Sequence, residues 1–80
     1  MSIVKGSIVR AKAGRDKDGF FVVLDTDAQF ALIADGKRRR VERPKRKKLI
    51  HLEATKTVIT GSIETNPQIR KFLNNFKNGG

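Results

Sequence analysis

Apolar residues in this chain gather in short runs rather than in long periodic stretches. Residues 7–13, apart from Arg10 and Lys12, are β-branched or small and close on Gly14, and Gly19 then opens the strongest strand signal, Phe20-Phe21-Val22-Val23-Leu24. These two runs are expected to pair antiparallel. Between them lies a polar loop, residues 14–19, whose two glycines can take the positive φ angles that tight turns demand. Asp25-Thr26-Asp27 reads as the next turn and Phe30-Ala31-Leu32-Ile33-Ala34 as a third strand. Asp35-Gly36 is a dipeptide that favours a two-residue type I′ hairpin, which predicts a fourth strand over residues 37–43, ended by Pro44. Residues 49–52 supply a short fifth strand, and residues 56–60 carry a weaker strand signal.

The two runs of five successive apolar residues are apolar on both faces, which suits a tightly curved sheet rolled around one core. A small barrel is the economical solution. Near the C-terminus, Thr65 or Asn66 can cap a helix with Pro67 in its first turn, and Ile69, Phe72, Leu73 and Phe76 follow i, i+3, i+4, i+7 spacing. That apolar stripe must dock, and the barrel is its expected partner. With 80 residues there is room for one such domain. The expected organisation is a barrel over residues 1–64, the helix over 65–77 and a frayed, disordered tail at 78–80.

Charge changes the picture from fold to partner. Eighteen Lys and Arg stand against eight Asp and Glu, a net +10, and a surface so basic concentrates polyanions around itself. The charge is also localised. Residues 37–48 hold nine cations (Lys37, Arg38, Arg39, Arg40, Arg43, Lys45, Arg46, Lys47 and Lys48) against one anion, Glu42, a net +8. A solvated face that keeps an edge strand from aggregating accounts for two or three lysines. It does not account for this density, because clustered like charges repel one another unless an anion neutralises them. Five of the nine are arginine, whose planar fork grips phosphate oxygens and stacks on unpaired bases, so structured RNA is favoured. On the expected fourth strand Val41 points inward, Arg39 and Arg43 share its face along the rim, and Arg38 and Arg40 face outward.

At this point the residues resemble a known family. Gly6-x-x-Val9, Gly14-x-Asp16-x-x-Gly19 and Phe21-Val22-Val23 are similar to a KOW motif, a module of ribosomal proteins and transcription factors. The continuation, Leu32 to Lys37 through Asp35-Gly36 and on to the basic block, resembles small bacterial KOW-domain RNA-binding proteins related to a eukaryotic and archaeal large-subunit ribosomal protein family. The resemblance covers roughly the first two thirds of the chain. It implies a mainly β fold, an SH3-like barrel of KOW type here carrying a C-terminal α-helix, and an RNA partner, with the loop after the first strand touching RNA. Contacts by Arg15 and Lys17 in that loop follow from their charge, and Asp16 is expected to fix the loop beside Gly14.

Other chemistries find little support. There is no cysteine, so thiolate metal sites are excluded, His51 is the only histidine, and no combination of nucleophile, base and orienting group is legible. Asp16, Asp18, Asp25 and Asp27 lie in turn sequences, where capping of the local backbone is the expected role rather than metal binding. The phenylalanines are expected to fill the core of a chain that has no Trp or Tyr. One of Phe20 and Phe21 must face the other way, against the helix or partly exposed. The expectations are therefore a cytoplasmic, monomeric protein with no catalytic activity, cofactor, metal, membrane or small-molecule substrate, bound to ribosomal RNA or the ribosome. The rivals are a barrel that binds DNA non-specifically and a protein-interaction module of the transcription or translation machinery that docks through its barrel edge or its helix.

Overall fold

The computed structural model describes residues 2–79. Five strands, β1 (Ser7–Ala11), β2 (Phe20–Thr26), β3 (Phe30–Ala34), β4 (Lys45–Lys48) and β5 (Leu52–Val58), form one antiparallel sheet in the order β4-β3-β2-β1-β5, and helix α1 (Asn66–Lys77) follows. The first four strands run as a meander, and the chain then crosses through a 3-10 helix (Leu49–His51) so that β5 returns to β1 at the far edge. This is the expected mainly β class, a small SH3-like barrel with a C-terminal α-helix. Among the described residues no helix is long and apolar enough to cross a membrane.

The sheet bends at two irregularities. In β2 the register shifts between Val23 and Asp25, and opposite Ile8 the β5 strand carries extra residues between Ala54 and Val58. Thr55 stabilises the second bulge, its hydroxyl donating to the Ile8 carbonyl at 2.7 Å and accepting from the Thr57 N–H at 3.2 Å. Bulges raise local twist and let a sheet curl on itself.

Both faces of the central strands are buried, but not around one core. Val9, Ala11, Phe21, Val23, Ala31, Ile33 and Leu52 fill the barrel interior. On the opposite face Ile8, Val22 and Ala34 pack under Ile69 and Leu73 of α1. The expectation of a single core is thus corrected: the doubly apolar runs report a sheet with one face rolled inward and the other covered by the helix. Phe20 faces the helix, its ring centroid 5.3 Å from that of Phe76. Thr65 caps α1 in a capping box with Gln68, at 3.3 Å and 3.0 Å for the two reciprocal bonds. The N–H groups of Asn78 and Gly79 donate to the Asn74 and Phe76 carbonyls and close the last turn of the helix. Gly80 lies outside the described residues.

Two strand assignments are corrected. Residues 37–43 are not a strand, because Asp35-Gly36 does not form a two-residue hairpin: the Asp35 carboxylate accepts from the N–H groups of Lys37 and Arg39, both at 2.9 Å, and the Arg39 carbonyl accepts from Asp35 and Gly36. The fourth strand comes later, at Lys45–Lys48. Likewise residues 49–51 are a 3-10 helix, and the fifth strand runs through Leu52–Val58. The turn after β2 also falls later than residues 25–27, since β2 extends to Thr26 and the Asp27 carboxylate accepts from Gln29 and Phe30.

Candidate nucleic-acid interface

The basic segment is a folded loop held at both ends. At its start Gly36 (φ +79°) lies against the first turn of α1, where its carbonyl accepts from Arg70 at 2.7 Å. Asn66, buried at the helix start, accepts from the Val41 N–H at 2.8 Å and donates to Glu42 at 2.7 Å. Val41 packs on the helix-side core. It therefore points inward as expected, though towards the helix rather than into the barrel.

The loop over residues 14–19 is tied to the same segment. Asp16 is buried, and its carboxylate takes a two-pronged hydrogen bond from Arg39, 3.0 Å from Nη2 and 3.3 Å from Nε. Lys47 is buried as well; its Nζ donates to the Ala13 carbonyl at 2.8 Å and stands 4.0 Å from Asp16. Asp16 therefore does not cap its own loop by its side chain. It latches the loop to residues 23 and 31 positions away, and among the nine cations Arg39 and Lys47 serve as the fasteners. In β4, register places Lys47 opposite inward-facing Ala31, which explains how a lysine enters the barrel.

The remaining cations of the segment, Lys37, Arg38, Arg40, Arg43, Lys45, Arg46 and Lys48, are exposed, as are Arg15 and Lys17 across the latch. Arg38, Arg40, Glu42 and Arg43 surround a cleft of about 290 Å³. Only Arg40 among these has a local counterion, Glu42 at 3.4 Å on the surface, a pair of little energetic weight. Outside the segment, Arg10 bridges Asp18 at 2.6 Å and Glu53 at 3.1 Å. Gly14 takes φ +81°, as the loop requires, and so does Asp18 at φ +70°, which no local pattern announced.

One residue escaped the sequence reading. Phe30, expected in the core, is only half-buried, and the Arg46 guanidinium lies over its ring, 3.6 Å from the centroid. Its signal would have been the β3–β4 register, which was obscured by the misplaced fourth strand. Beside it, Asp27 is held below the ordinary carboxylate value of 3.8, first by the N–H of Gln29, then by that of Phe30, with the charge of Arg46 adding to them. No protein-family model and no curated protein matches this chain.

Proposed function

We propose that this protein binds RNA, ribosomal RNA in particular, by setting the exposed cations of residues 37–48 and the loop at residues 14–19 against one stretch of phosphate backbone. The observation that carries this reading is the Asp16 latch. Two segments that separately suggest phosphate contact are fastened edge to edge, and two of the nine cations are consumed in fastening them. A surface whose cations served only solubility needs no such fixed geometry. The similarity of residues 6–23 to a KOW motif and the five arginines point the same way. Phosphate contacts fix position without chemistry, so the protein acts as a binding module.

The test is the salt dependence of binding to a structured ribosomal RNA fragment, with duplex DNA as competitor. Each phosphate neutralised contributes roughly 0.7 to 0.9 to the log–log slope, so five or more contacts give a slope steeper than about 3. Arg38→Ala with Arg40→Ala lowers that slope by about 1.5 and leaves melting unchanged. A flat slope, or preference for duplex DNA, overturns the assignment.

A further inference from the structure

The outer surface of β3 and β4 carries a second kind of chemistry. Arg46 and Lys48 project from β4 on the face shared with Phe30 and Leu32. The Arg46 guanidinium carbon lies over the Phe30 ring, 3.6 Å from its centroid, and Arg46 is exposed. Beside this stack is a cleft of about 180 Å³ walled by Asp25, Thr26, Asp27, Phe30, Leu32 and Arg46.

The two carboxylates are the informative part. Each uses Oδ1 to accept backbone N–H groups, Asp25 from Thr26 and Asp27 from Gln29 and Phe30, while neither Oδ2 accepts a hydrogen bond among the described residues. Carboxylates at the edge of a cationic surface repel phosphate, so they do not extend the backbone-binding patch. They are matched instead to the hydrogen-donating edge of a base. Guanine presents its ring N–H and amino group side by side; adenine offers an amino group alone, and the uracil N–H is flanked by two carbonyls that a carboxylate repels. A planar guanidinium supported from beneath by an aromatic ring supplies the stacking surface.

We propose that the Phe30–Arg46 stack and the carboxylates of Asp25 and Asp27 form a pocket for one unpaired guanine, an inference that rests on RNA binding by the adjoining basic segment. Lys48, opposite Phe30 in the β3–β4 register, stands where it can meet the phosphate of that nucleotide. The segment at 37–48 then supplies affinity and the cleft supplies base preference.

The experiment uses the full chain and short uridine-rich single strands that carry a central guanine, adenine or uridine, read by fluorescence anisotropy at fixed salt and by amide shifts. The guanine strand binds about tenfold more tightly than the all-uridine strand, and amides of residues 25–32 move only with guanine. Arg46→Lys keeps the charge and loses the plane, so it weakens the guanine strand by about fivefold or more and leaves the salt slope in place. Asp25→Asn with Asp27→Asn preserves the turn-capping oxygens and abolishes the preference without weakening the uridine strand. Thermal melting of each variant establishes that it is folded. Equal affinity for guanine and uridine strands, or silent amides at 25–32 while those of 37–48 respond to RNA, overturns the pocket alone. No response to any RNA overturns both the pocket and the RNA-binding reading.

Discussion

Replacing Asp16 by asparagine keeps the shape of the latch and removes its charge. In the native fold the Asp16 side chain is 5% exposed, Lys47 10% and Arg39 29%. The amide leaves both cations without a counterion and turns an N–H donor towards one of the two Arg39 donors. Removing one partner of a fully buried pair costs roughly 3–5 kcal/mol. Arg39 retains contact with water that can solvate its freed charge, which lowers the expected loss to about 2–3 kcal/mol. In a domain of this size each kcal/mol corresponds to about 4–8 °C in melting temperature, so the drop is about 8–24 °C. Circular dichroism is the assay of choice, since the chain has no Trp or Tyr to report by fluorescence. Asp18→Asn is the control: its pair with Arg10 is exposed, and asparagine tolerates the positive φ found there, so melting is unchanged. Adding Lys47→Met to Asp16→Asn recovers part of the loss, because an apolar side chain needs no counterion in that position. Asp16→Asn melting together with the native protein would refute the idea that the loop and the basic segment are fastened by this carboxylate.

Gly36→Ala places a Cβ 2.6 Å from the Asn66 carbonyl oxygen and 2.9 Å from Arg70 Cγ at φ +79°; melting falls and the Val41 amide loses protection in hydrogen exchange. Gly79→Ala, with a similar φ but nothing within 4 Å, isolates the conformational cost at about 1 kcal/mol, and equal effects at the two sites would show that the contact with the helix is unimportant. For Asp27, a folded-state value below 3.8 means that its contribution to the turn is complete above that pH and disappears as the pH falls below it, through the lowered value. A carboxyl-carbon NMR titration of Asp27 with a midpoint at or above 3.8 would contradict this.

The strands β1, β2 and β3 and the helix were legible because their signals are local: apolar runs bounded by glycine, and a Thr-Asn-Pro-Gln cap ahead of an i, i+3, i+4, i+7 stripe. Strand β4 was not. Its four residues, Lys45-Arg46-Lys47-Lys48, contain no apolar side chain, so no hydrophobic alternation marks the face that enters the barrel. The Asp35-Gly36 pair drew the strand eight residues too early because what decides its geometry is tertiary: the glycine seats against Asn66 and Arg70, some 30 residues ahead. The site divides in the same way. A density of cations is visible in composition, whereas which of them are fasteners and which are free depends on Asp16 meeting Arg39 and Lys47 across the fold. Phe30 shows the converse, a residue assigned to the core on size alone that the register brings out beneath an arginine.

The sheet with two covered faces has a consequence for folding. Strand β2 is a shared wall: Phe21 and Val23 line the barrel, and Phe20 and Val22 meet the helix side. Contacts made on either side hold the same backbone, so undocking α1 strips one face of the strand on which the other core is built. Two clusters, each too small to stand alone, are thereby joined into one cooperative unit. Helix and barrel should melt in a single transition, with the helix completing the stability of the strands that precede it.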